Sequence, residues 1–236
     1  MKTLIAVMTC HKPEYQDKIE AQRATWVKDL RGADLAFFKG LSVYRNVLGV
    51  QPPSDEVWLD VDDDYKQLKL KTTAIIRWAL KRGYEYVWKV DDDVYLRPER
   101  LLALPFFDYC GVAVEMPKPP TTPTHYFGAF SQKPSAKAVC IGWLYGLSRH
   151  AMGELLKPEA NIYHEHEDIW VGQKLFHHGI EPFQLGGYIK KPCTHGVPNG
   201  WPNQVQPLPD NHVIASCEYT AQQLREVHGA FNGVLA

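Results

Sequence analysis

Apolar and polar positions along the chain alternate between two periods. Residues 2–9 form a short strand-like run around an unbroken apolar centre, Leu4 to Met8, of the kind that makes a strand buried on both faces. The next stretch, from residue 15 or 17 to residue 30, carries helical spacing and stops at Gly32. Residues 35–38 and 56–59 are further strand-like runs, and residues 65–82 read as a long helix closed by Gly83. Its inner face carries Leu68, Thr72, Ile75, Ile76 and Ala79, with Lys66, Lys69, Lys71, Arg77 and Lys81 mostly outside. Tyr84, Tyr86, Val87, Trp88 and Val90 then make a strand rich in aromatic and β-branched residues. Beyond it lie a helix or turn at 99–104, a strand at 110–115, a glycine-spaced turn into a strand at 140–148 and helices at 149–156 and 169–175. A strand-like run at 183–185 and an amphipathic helix at 220–227 complete the pattern.

The order strand, loop, helix, strand opens an α/β nucleotide-binding layer, in which ligands collect beyond the carboxyl ends of the strands. Neither a G-x-G-x-x-G nor a G-x-x-x-x-G-K-[ST] sequence is present, so a dinucleotide fold and a P-loop are unsupported. The 236 residues, 45% hydrophobic and 22% charged, suffice for one substantial core. Lys plus Arg number 26 against 27 Asp plus Glu, a net charge of −1, which gives no broad electrostatic pull toward nucleic acid. The five cysteines are widely spaced without a C-x-x-C pair, and reduced thiols are expected. The first apolar run is too short to span a membrane and is not a signal-peptide core, so a cytoplasmic chain is expected.

Candidate chemistry concentrates where the aromatic strand ends in Asp91, Asp92 and Asp93. Strand alternation would send Asp91 and Asp93 to one side and Asp92 to the other, leaving the outer pair to share a ligand. Three like charges raise one another's pKa unless a positive charge sits among them, and a divalent cation answers that need; an acidic capping loop is the alternative. The apolar Val94-Tyr95-Leu96 that follows argues for a crease rather than a solvated turn. Asp62 to Asp64 read as a second metal cluster or as helix-capping acids, and their place before a helix favours capping. Lys71 reads either as a solvated lysine or as one reaching the carboxylates or a phosphate. His164 to Asp168 form another polar cluster before a helix. His195 lies in a Gly/Pro-rich loop, which suits a ligand more than an average histidine does, and residues 117–134 are a proline-rich, acceptor-facing lid or mobile loop.

Five motifs in order then resemble one family: Arg23-Ala24-Thr25-Trp26, the run from Asp63 to Thr72, Lys89-Val90-Asp91-Asp92-Asp93-Val94, Trp143 to Ser148, and Glu167-Asp168-Ile169-Trp170-Val171-Gly172. Together they are similar to the inverting β-1,3-glycosyltransferases of the galactosyltransferase and Fringe group. The resemblance implies an α/β, GT-A-like single domain over residues 1–236. A Rossmann-like, nucleotide-sugar-binding half (1–97) would be fused to an acceptor and catalytic half (98–236) around a mixed sheet. It implies a UDP-sugar donor and a Mn²⁺ or Mg²⁺ ion, with Asp93 and His195 at the metal. Arg23, Lys71, Asp91 and Asp92 fall on the donor side. Asp168 corresponds to the catalytic base, and its neighbour Glu167 caps the helix or orients the acceptor. The acceptor is a glycan or another hydroxyl-bearing molecule. A modified nucleic acid base as acceptor, and a binding module without turnover, are the competing expectations.

Overall fold

Strand β1, Thr3–Met8, has all six residues buried, and the other strands are laid out from it. The structure is a computed structural model that describes residues 1–41, 51–116, 136–158, 166–185, 189–190, 214–216 and 219–231. On one side of β1 lie β2 (Asp34–Gly40) and then β3 (Glu56–Leu59), all parallel. On the other side β4 (Tyr86–Asp91) runs parallel to β1, with Val7 opposite Val90 and Met8 opposite Asp91. The chain then returns as the short strand β5 (Val94–Leu96) and continues to β6 (Tyr109–Glu115) and β7 (Ala138–Ser148). Strand β7 pairs antiparallel with both β4 and β6, and β8 (Phe183–Gln184) is parallel to β6. Among the described residues the result is one seven-stranded mixed sheet in the order β3-β2-β1-β4-β7-β6-β8. A smaller sheet joins β5 to β9 (Ile189–Lys190) through β10 (Ile214–Ser216).

Because strand side chains alternate, β1 feeds two cores. Ile5 and Val7 join Phe37, Trp88 and Val90 on one face, while Leu4, Ala6 and Met8 join Phe38 and Val87 on the other. Helix α1 (Pro13–Ala24), with α2 (Trp26–Asp29), covers the first face through Ile19 and Trp26, and α7 (Ala221–Phe231) adds Leu224 and Val227. The second face is covered by α3 (Leu68–Lys81), α5 (Arg149–Leu156) and α6 (Glu167–His177), through Ile75, Ile76, Met152, Val171 and Leu175. Between β5 and β6 lies the single turn α4 (Pro98–Leu101). A single α/β domain around a mixed sheet is therefore present, consistent with a GT-A-like fold. Its sheet draws strands from both sides of residue 97.

Several expected elements take a different form. The helix expected through residue 30 breaks at Thr25, whose φ of −120° and ψ of −116° leave helical space. Its hydroxyl donates to the carbonyl of Ala21 at 2.7 Å, closing α1 with a side chain. The helix expected over 65–82 opens with a 3-10 turn, Tyr65–Gln67, capped by Asp64, whose carboxylate accepts from the amide of Lys66 at 3.1 Å. That bond bears out the capping role for Asp64, whereas Asp63 accepts from the amide of Gly40 and from Lys71. Gly83, at φ +77°, ends α3 as a left-handed residue. Residues 138–148 contain no turn. They form one eleven-residue strand, in which Gly146 lets Tyr86 and Trp88 approach the backbone. The proline-rich segment 117–134 lies outside the described residues.

Candidate functional site

The acidic triplet sits where β4 leaves the sheet. Asp91 is the last strand residue and the chain turns at Asp92-Asp93 before β5. Strand alternation therefore stops at Asp91, two residues short of Asp93, and the pairing changes with it. Asp92 and Asp93 share a partner, the ammonium of Lys18 on α1, 3.6 Å from a carboxylate oxygen of each. Asp91 instead accepts from the Nζ of Lys89 at 2.6 Å. The alternation behind the expected Asp91 and Asp93 pair is thus corrected, because a turn, not a pleat, sets their directions. Burial pushes all three carboxyls up, Asp92 to about 6, against the opposing pull of Lys18 and Lys89.

Lys89 comes from the middle of β4 and its side chain is only 4% exposed. Besides Asp91 it donates to the backbone carbonyl of Gly142 on β7, and it stands 3.9 Å from Glu167 Oε2 at the start of α6. Glu167 is itself buried: its Oε1 accepts from Thr72 Oγ1 at 2.7 Å and from the hydroxyl of Tyr145. It anchors the first turn of α6 to α3 and β7 and also lines a cleft. Asp168, the next residue, is only partly buried. Its Oδ2 accepts from the amide of Gly142 at 3.1 Å and its Oδ1 from the amide of Ile169 at 2.8 Å. Two adjacent acids thus have two environments: one bonded to buried hydroxyls, the other held by backbone amides, and both line one cleft.

That cleft, about 200 Å³, is lined by Asp91 and Lys89 on the β4 side and by Gly142 and Asp168 opposite, with Tyr65 and Trp143 among the remaining walls. It lies level with the carboxyl end of β4, the position at which an α/β sheet gathers ligands. The backbone of Gly142 fixes two residues of the cleft, its amide donating to Asp168 and its carbonyl accepting from Lys89.

The other expected donor-side residues are turned toward the protein. Arg23 bonds to Asp55 through two nitrogens, at 2.8 and 2.9 Å, and to Glu56 and Glu20, with its guanidinium over the Phe37 ring. Lys71 is 1% exposed and donates to the carbonyl of Thr9 and to Asp63 Oδ1, which also accepts from the amide of Gly40 at 2.7 Å. It is therefore an inner residue of α3 that ties the loop after β1 to the loop after β3. His195 lies outside the described residues.

Among the described residues no group of three or more His, Cys, Asp or Glu side chains is gathered as a metal cage. The acidic turn nonetheless fits a hard divalent cation: Asp93 Oδ1 is buried with no hydrogen-bond partner, and the available donors are carboxylate oxygens. Lys18, Lys89, Thr72 and Tyr145 are site residues that sequence reasoning missed. For Lys89 a signal existed, a single lysine between Trp88 and Val90 in an otherwise apolar strand.

Residues 52–106 match the family model described as Galactosyltransferase. A 51-residue segment is 45% identical to the "Probable beta-1,3-galactosyltransferase 12" of Arabidopsis thaliana, covering 21% of this chain and 14% of that protein. Through this stretch the chain is similar to the galactosyltransferase family, and it spans only a small part of the curated relative it matches. The family-model match runs from β3 to α4 and so includes Lys71, Lys89 and the acidic triplet, whereas Lys18, Arg23, Asp168 and His195 lie beyond it.

Proposed function

We propose that this chain is an inverting, metal-dependent glycosyltransferase that moves a hexose or N-acetylhexosamine from a UDP-sugar to an acceptor hydroxyl, forming a β linkage. The observation that carries the proposal is the placement of Asp168 on a cleft wall, facing the acidic end of β4 within a family-matching segment. In this reading residues 1–97 hold the nucleotide sugar and residues 98–236 the acceptor.

Asp168 acts as general base. The acceptor oxygen forms a bond to the anomeric carbon as the bond from that carbon to the diphosphate oxygen breaks, and the acceptor proton passes to the Asp168 carboxylate. One displacement inverts the anomeric centre, so a single carboxylate suffices. The amides of Gly142 and Ile169 keep Asp168 in place without protonating it. Glu167 positions the start of α6 from within, through Thr72 and Tyr145. A Mn²⁺ or Mg²⁺ ion would be held by Asp93 and His195, and when bound it neutralises the leaving diphosphate. Asp91 and Asp92 complete the anionic turn on the donor side. Arg23 and Lys71 support the donor loops through their ion pairs.

The test is UDP release by the purified chain from UDP-galactose, UDP-glucose and UDP-N-acetylglucosamine, with Mn²⁺ and a panel of glycoside acceptors. Product from at least one pair, with a β linkage by proton NMR and loss of turnover in EDTA, is expected. No UDP release from any donor, or an α-linked product, contradicts the proposal.

A further inference from the structure

The acidic turn has two lysines, and they are held differently. Lys89 is buried, bonded to Asp91 at 2.6 Å and tied to a backbone carbonyl. Lys18 is 22% exposed, and its ammonium lies 3.6 Å from Asp92 Oδ1 and 3.6 Å from Asp93 Oδ2. Charge-assisted N–H···O bonds close to about 2.7–2.9 Å, so this ammonium straddles two carboxylates rather than bonding tightly to either. It also lies 5.0 Å from the centre of the Tyr15 ring, one turn earlier on α1. The backbone beneath it is fixed, because Ile19 next to it is wholly buried.

We propose that Lys18 serves the donor site in two successive partnerships. Without a divalent cation it is the counter-charge of Asp92 and Asp93; once a cation takes those carboxylates, the ammonium turns to the donor's diphosphate. This rests on the glycosyltransferase reading above and adds a donor-binding residue to it. The argument is one of charge and reach. A divalent cation at Asp93 and an ammonium against the same carboxylate repel each other, so both cannot keep that partner. Asp93 Oδ1 has no hydrogen-bond partner and is the atom left for the cation, while Oδ2 faces Lys18. A diphosphate arriving with the cation brings the negative charge that the displaced ammonium needs. Lys18 is flexible, four methylenes long and already at the rim, so it reaches that charge without any shift of α1. Lys89 has no such freedom, being bonded on two sides in the sheet interior.

The two partnerships predict effects of opposite sign. Calorimetry on the full chain would measure MnCl₂ alone, then UDP at saturating Mn²⁺, for the parent, Lys18→Met, Lys18→Gln and Lys18→Arg. In both neutral variants Mn²⁺ alone should bind more tightly, since its competitor is gone. UDP should bind about ten- to a hundredfold more weakly, the loss of one hydrogen bond to a charged group. Lys18→Arg should stay near the parent on both counts. Neutral variants that leave either affinity unchanged, or weaken both, overturn the role of Lys18. A parent chain without Mn²⁺-dependent UDP binding overturns the donor-site reading itself, which is a distinguishable failure.

Discussion

Lys89→Met removes the one cation that β4 places among Asp91, Glu167 and the Gly142 carbonyl. Methionine fills a similar volume, so the change is mostly electrostatic. Glu167, with a side chain 4% exposed, cannot recover its lost charge partner from water, whereas Asp91, at 31%, partly can. Removing one partner of a buried pair costs about 3–5 kcal/mol. Solvent access at Asp91 places this case at the lower end, about 3 kcal/mol. For a domain of this size each kcal/mol shifts the melting midpoint by roughly 2–4 °C, so a drop of about 6–12 °C is expected. Adding Glu167→Gln to Lys89→Met removes the stranded charge while keeping an oxygen for Thr72 and Tyr145. The double variant should therefore be more stable than Lys89→Met alone, with a coupling of about 1–2 kcal/mol in the four-protein cycle. Urea unfolding followed by far-UV circular dichroism supplies all four stabilities. A Lys89→Met chain within about 0.5 kcal/mol of the parent, or strictly additive variants, would refute the assignment of Lys89 as the central counter-ion.

Two further outcomes follow from other parts of the fold. Burial would raise Glu56, but its bonds from Lys39, Trp58 and Arg23 outweigh that and leave it below the usual glutamate range. A depressed carboxylate stabilises above its unfolded pKa and loses that contribution as pH falls through its folded value, so the parent should lose more stability than Glu56→Gln below about pH 4.3; parallel acid-unfolding curves would contradict this. In Gly172→Ala the added methyl would meet Val139 Cγ1 at 2.4 Å and the Val139 Cα at 3.2 Å, a clash between α6 and β7 that side-chain rotation alone does not relieve. A loss of about 1–3 kcal/mol in urea unfolding is expected, and a neutral or stabilising effect would show that α6 is free to shift.

How much of this was legible from the chain depended on the range of the forces involved. The strand at Glu56–Leu59 and the helix at Arg149–Leu156 fall where the pattern puts them, because local periodicity and a serine cap define them; the Ser148 hydroxyl accepts from the amide of Ala151 at 3.1 Å. The break at Thr25 was not legible, since it depends on which way one hydroxyl turns. Alternation failed at Asp92 because a period of two holds only while the strand lasts. The partners of the acids are set by tertiary contact: Lys18 lies on a different element from Asp92, and Gly142 is 53 positions from Lys89. Lys71 was legible in part: helical spacing put it on the outer face, while the alternative of a lysine reaching the neighbouring carboxylates is the one found, with Asp63 and the Thr9 carbonyl drawing it in. The difference between Glu167, bonded to side-chain hydroxyls, and Asp168, bonded to backbone amides, appears only once Tyr145 and Thr72 are seen to close around the first.

The central claim, that Asp168 is the base of a glycosyl transfer, is tested most directly by kcat of Asp168→Asn beside Glu167→Gln and the parent, with one active UDP-sugar and acceptor pair and saturating Mn²⁺. Asparagine keeps the shape but has one acceptor oxygen for the two amides of Gly142 and Ile169, its NH₂ facing the other; because the donor and ion are held elsewhere, UDP affinity and the Mn²⁺ titration should stay at parental values. Turnover should fall about 10²–10⁴-fold, the contribution of a general base, and Glu167→Gln should be milder. An Asp168→Asn chain that keeps near-parental kcat contradicts the account.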